Sequence, residues 1–272
     1  MTIEICILGV GLLGPGLNDW ATGQALLRDP TLWQSAATLV PAPTRLPATE
    51  RRRAGVGVKA SIVVADQAVA QAAAPSSLET GTASGLEAAT LATVFTSSTG
   101  DTHNCHQMCE ALAATVRSVS PTRFTNSVHN APAGYWHIAA QSRAPSTSLA
   151  ALDASFAAGL LEAAVQCHST GQPVLLVACD QPYPEPMHTL RPVPDVFATA
   201  LLIGPPGAGR RLLLSVAGDV MPSVCSHAGL EALRQGIPAA RALPVLQALA
   251  QPGESSVVID GAGQPSLRVQ LT

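Results

Sequence analysis

Charge is scarce in this sequence. Charged residues are 12% of 272, and 15 Lys and Arg against 18 Asp and Glu leave a net charge of −3. That balance offers no footprint for nucleic acid. Aromatic residues are 3%, so helices must pack through small side chains. No apolar run reaches the roughly 20 residues of a membrane span. The N-terminus has neither the basic start nor the cleavage site of a secretory leader, so a cytoplasmic location is expected. None of the six cysteines (Cys6, Cys105, Cys109, Cys167, Cys179, Cys225) sits in a CxxC pair, which fits reduced thiols. There is no G-x-S-x-G, internal repeat or low-complexity segment.

What is present is an alanine-rich chain, 47% hydrophobic, long enough for one large domain or one domain with an appendage. Ile3–Val10 reads as a strand, followed by a tight turn and a helix from about Leu17. Gly9-x-Gly11-x-x-Gly14 matches the dinucleotide fingerprint formally. However, the acidic strand end it needs about 20 residues on is missing, and no cofactor is expected. Glu50–Ala74 reads as one helix opening on Arg51-Arg52-Arg53, which is a solvated face or a docking patch for an acidic partner. Pro75–Gly85 reads as a loop and Leu91–Thr96 as a strand. The helix from about His103 to Val116 carries Cys105, His106 and Cys109. A structural zinc site draws on two separate elements, so a buried small-residue face is expected here and no metal.

The densest signal is Ser127–Gly171. A helix ends near Arg143-Ala144-Pro145, and Pro145–Leu152 alternates as a short strand. After an elbow at Asp153, Ala154–Cys167 is apolar almost all round, the pattern of a helix buried on all sides. Pro173–Cys179 reads as a buried strand ending in a proline-rich loop from Asp180. Asp195–Ile203 and Arg210–Val216 are predicted to form an antiparallel hairpin. Two helices (Ser226–Gln235, Ala239–Ala250) and two strands (Ser256–Ile259, Ser266–Leu271) complete the chain.

The Asn130-x-x-Ala133-Gly134 pattern, the Ala144-Pro-Ser-x-Ser148 run and the small-residue helix after the elbow resemble the nucleophile region of β-ketoacyl synthases. The resemblance covers Ile3 to about Val216. It implies an α/β thiolase-like fold: the ketosynthase N-terminal half, a layered mixed sheet with a buried central helix, plus a short α+β tail. Residues 1–216 would be the half domain and 217–272 an extension packed on the same core. In that register the family's acyl-accepting cysteine falls on Asp153. Both catalytic histidine motifs are also missing, and His227 in its Ser-His-Ala-Gly setting matches neither.

The resemblance therefore implies a non-condensing, chain-length-factor-like partner or scaffold in polyketide or fatty-acid-like synthesis. The relatives concerned belong to aryl polyene and xanthomonadin pigment gene sets. It would pair with a ketosynthase or itself through strand 145–152, with Asn130, Ser148, Asp153 and Asp180 facing the acyl chain or partner. Arg51, Arg52 and Arg53 would dock an acyl carrier protein. The competing reading is a remodelled acyl-thioester hydrolase or transferase built from Asp153, Ser155 and His129. Under the first reading Asp153 caps the central helix, where the macrodipole favours a carboxylate.

Overall fold

A computed structural model describes residues 2–73, 86–207, 209–218, 220–263 and 265–272. The predicted loop Pro75–Gly85 lies outside the described residues. The described residues form one mixed sheet of eight strands: β1 (Thr2–Leu13), β2 (Ala92–Thr96), β3 (Ser146–Leu149), β4 (Val174–Asp180), β5 (Phe197–Gly204), β6 (Arg210–Val216), β7 (Ser255–Ile259) and β8 (Leu267–Leu271). Their order is β3-β2-β4-β5-β1-β6-β8-β7. β2 runs parallel to both β3 and β4, and every other pairing is antiparallel.

The predicted hairpin does not form. β5 and β6 lie on either side of β1, with Leu202 opposite Gly9 and Leu212 opposite Ile5. All eight residues of β5 are buried, so it needs strands on both edges, and β1 and β4 supply them. The tail strands extend the same sheet, because β8 pairs with β6 and β7 with β8.

The described residues also form ten helices: α1 (Trp20–Arg28), α2 (Ala48–Arg53), α3 (Val56–Ala72), α4 (Thr102–Ala113), α5 (Pro121–Asn126), α6 (Ala131–Ala140), α7 (Ser155–Thr170), α8 (Met187–Leu190), α9 (Ala228–Gly236) and α10 (Leu243–Ala250). α3 and α6 share one apolar cluster with the sheet; α1, α7 and the tail helices share the other. The predicted 50–74 helix is broken, since Ala54 and Gly55 are extended between α2 and α3. The break brings Gly55 against the Asp101 carboxylate, which stands 2.4 Å from where a Cβ would be.

Gly9 and Gly11 lie inside β1, not in a turn, and this overturns the strand-to-helix boundary read from their spacing. Their service is to packing. An added Cβ would stand 2.0 Å from the Ala68 carbonyl oxygen at Gly9, and 1.9 Å from that of Val64 at Gly11. α3 therefore rests on bare strand backbone. At that range Gln71 and Gln67 accept hydrogen bonds from the Val10 and Leu12 amides, at 2.6 and 2.9 Å.

α7 is less enclosed than its composition predicts. Phe156, Leu160, Ala163, Ala164 and Cys167 are buried, whereas Leu161 and Val165, one turn apart, are exposed. The buried stripe presses closely: a Cβ on Gly159 would meet Thr96 and Leu176 side chains at 2.8 and 3.0 Å. The cysteines of α4 also depart from expectation. α4 buries no residue at all, and Cys105 and Cys109 are both exposed. Its sequence is too polar to supply an apolar stripe wide enough to dock on the sheet.

Two outcomes follow from this packing. Gly9→Ala or Gly11→Ala should cost about 1–3 kcal/mol or more by overpacking, read as a lower urea midpoint. In the tail, the Arg234 guanidinium donates to both Glu231 oxygens, at 2.7 and 2.6 Å. It is the largest influence holding the Glu231 carboxyl down to about 2. A lowered carboxylate pKa stabilises the fold above the ordinary carboxyl range, and that stability fades as pH falls towards the folded value. Glu231→Gln should therefore cost roughly 1 kcal/mol at neutral pH once solvent screening is allowed for. The difference from wild type should vanish as pH falls from about 4.5 towards about 2, measured by denaturation across pH.

Candidate functional site

The elbow is built by the end of β3, a single 3-10 turn at Leu152–Ala154 and the start of α7. Leu152 has φ +48, the left-handed region in which a leucine is strained, and its side chain is largely exposed. Ser155 holds the turn closed. Its Oγ donates to the Leu152 carbonyl at 2.7 Å and accepts from the Ala151 amide at 3.0 Å.

Asp153 does not cap α7, because Ala154 holds that place with no side-chain cap. The carboxylate instead turns outward to two arginines. Oδ1 accepts from Arg191 Nη2, and Oδ2 lies 3.4 Å from Arg241 Nη2. Arg241 also donates to Asp260 Oδ2 at 2.6 Å. Asp153 precedes the cap position by one residue, and its carboxylate pairs with guanidinium groups instead of the helix amides.

Arg191 joins this group to a second one. Its guanidinium lies 5.8 Å from the Tyr183 ring centroid, and the Tyr183 hydroxyl is 3.0 Å from Ser98 Oγ. Ser98 donates to Asp180 Oδ1 from its hydroxyl at 2.7 Å and its amide at 2.8 Å, with Ser97 Oγ adding a third bond at 3.1 Å. Asp180 is thus the buried end of β4, not part of the loop after it. Burial pushes its carboxyl up, opposed by Ser98, Ser97 and the Ala239 amide.

His129 is elsewhere. Its Nε2 donates to the Ser97 carbonyl at 3.1 Å. It lines a pocket of about 420 Å³, solvent-facing space included, with Gly57, Ser61, Phe95, Cys179 and Gln181. Among the described residues no hydrogen bond joins His129 to Ser155 or Asp153. Asn130 opens α6 without a side-chain cap bond and is exposed. Ser148 lies on β3 opposite Phe95. Arg51, Arg52 and Arg53 end α2; Arg51 donates to the Pro43 carbonyl at 3.3 Å and Arg53 to Glu50 at 3.4 Å. His227 accepts from the Gly229 amide at the start of α9. No group of three or more His, Cys, Asp or Glu among the described residues could hold a metal ion.

Arg191 and Arg241 were missed by sequence reasoning, yet a signal existed. Arg191 is the only Lys or Arg between Arg143 and Arg210, and Arg241 is the only charge between Arg234 and Glu254. A lone cation in an apolar run usually has a carboxylate partner.

The elbow geometry meets the known proteins at this point. The sequence profile of the β-ketoacyl synthase N-terminal domain matches residues 20–259. The chain belongs to this family. No curated protein sequence matches it. Among solved structures it is similar to the complex of a ketosynthase (ApeO) with its chain length factor (ApeC) from Xenorhabdus doucetiae, at 24% identity and TM-score 0.67 over 99% of each chain. It is also similar to the type II polyketide synthase complex AntDE:AntF, in which an acyl-carrier protein binds its ketosynthase, at 12% identity and TM-score 0.75 over 100% and 99%. The ishigamide ketosynthase/chain length factor gives 13% and 0.69 over 99% of each. At these identities the structures show the thiolase-like fold of ketosynthases.

Chemically, a carboxylate engaged by two guanidinium groups is a poor nucleophile, and its acyl product would be a labile anhydride. The pairing is partly exposed, so its energy is modest. A double-mutant cycle on Asp153→Asn and Arg241→Gln should return a coupling of about 0.5–1 kcal/mol.

Proposed function

We propose that this ketosynthase-family chain is a non-condensing, chain-length-factor-like partner in type II polyketide or fatty-acid-like synthesis, with aryl polyene or xanthomonadin pigment as its product class. The observation that carries this reading is the commitment of Asp153 to Arg191 and Arg241, at the position where the sequence resemblance would put the family's acyl-accepting cysteine. The ApeO/ApeC and ishigamide likenesses, each involving a ketosynthase and a chain length factor, support it. Residues 1–216 act as the ketosynthase-like half and residues 217–272 as the extension that closes the elbow, through Arg241 and Asp260.

The partner in this proposal is a ketosynthase or a second copy. β3 is an end strand of the sheet among the described residues, and α6 and α7, which both contact it, leave Ile138, Leu161 and Val165 exposed. An unpaired sheet edge flanked by apolar side chains calls for a strand from another chain. Asn130, Ser148 and Asp153 then face the growing acyl chain or that partner; Asp180, expected among them, is buried and bonded to Ser97 and Ser98 instead. Co-expression with the ketosynthase of the same gene set is expected to give a stable complex that makes chains of defined length. A Ser148→Pro variant should lose the complex, because proline cannot donate across the strand edge. A chain that stays monomeric at micromolar concentration with every such ketosynthase would contradict the proposal.

Carrier docking belongs to the same reading. A basic triplet in a chain of net charge −3 attracts an acidic carrier protein weakly and with strong salt dependence. Replacing Arg51, Arg52 and Arg53 by alanine should weaken carrier binding at low salt several-fold, by titration calorimetry, and erase most of its salt dependence.

A further inference from the structure

α4 carries chemistry that the proposed function does not use. It runs Thr102–Ala113 and buries no residue. Cys105 and Cys109 are one helical turn apart, so both side chains rise from the same face, with Cβ atoms about 5–6 Å apart. Both thiols are exposed, whereas Cys6, Cys167, Cys179 and Cys225 are buried.

The donor set decides the ligand class. Zinc takes four ligands in a closed site, and no described group of three or more His, Cys, Asp or Glu could hold a metal ion. The nearest imidazole, His106, is turned to Glu110, with Nε2 3.3 Å from its carboxylate. Two soft thiolates without a third ligand suit a soft monovalent d10 ion, and copper(I) is the biological example.

We propose that Cys105 and Cys109 form a surface dithiolate site that binds one copper(I) ion. Binding forms two copper–sulfur bonds and releases one proton from each thiol, with no change of oxidation state. Affinity therefore rises with pH. The rigid helical spacing holds the two sulfurs ready, which lowers the ordering cost of closing the site.

The test is an anaerobic titration of the full, reduced chain with copper(I) buffered by a chromophoric chelator. One equivalent is expected to bind, with affinity increasing from about pH 6 to about pH 8. Cys105→Ser and Cys109→Ser should each weaken binding at least about tenfold, and the double variant should remove it. Far-ultraviolet dichroism checks that each variant keeps its helices, and Cys225→Ser serves as the control that leaves binding unchanged. Three results would overturn the site: wild-type affinity no better than the double variant, single variants that bind as tightly as the wild type, or copper held only between two chains in a dimer.

Discussion

Two guanidinium groups grip the Asp153 carboxylate at the mouth of the central helix, and the parts of the molecule meet through that grip. Arg191 comes from the segment after β4, Arg241 from the turn before α10, and Asp260 follows β7. One charged cluster thus ties the elbow to the loop and the tail. The segment after β6 adds two strands to the same sheet and sends one arginine to the elbow. Each ion pair is modest in water. Their importance lies in fixing the position of segments that are distant in sequence.

The same cluster sets what the site can do. A thiol at a helix N-terminus is activated by the positive end of the helix dipole. A carboxylate there is merely stabilised, and this one is further occupied by cations. Ser155, the nearest hydroxyl, spends both its donor and an acceptor lone pair on the turn backbone. His129 spends Nε2 on Ser97. The polar groups around the elbow are arranged to satisfy one another, which is the economy of a structural junction.

Much of the fold was legible because its signals are local. The apolar runs of β4, β5 and the tail strands, and the break before β3, follow from residue pattern and lie within a few residues of expectation. What failed was non-local. The hairpin between β5 and β6 was a sound local inference, defeated because β1, some 200 residues upstream, takes the place between them. The glycines of β1 looked like a turn because spacing alone cannot show α3 lying on the strand at van der Waals range. Asp153 was placed correctly at the elbow, but its partners lie 38 and 88 residues downstream, and no periodicity announces them. The α4 cysteines were assigned to a buried face on residue type, whereas the polarity of the whole helix was the better guide.

The central claim is that the elbow has exchanged chemistry for attachment. The most direct measurement restores the nucleophile alone: the purified Asp153→Cys chain is given acyl and malonyl carrier-protein substrates, and condensed product is sought by mass spectrometry. The account predicts no carbon–carbon bond formation, because the histidine motifs that activate malonyl decarboxylation in the family have no counterpart in this sequence. Condensed product from the isolated variant would contradict it.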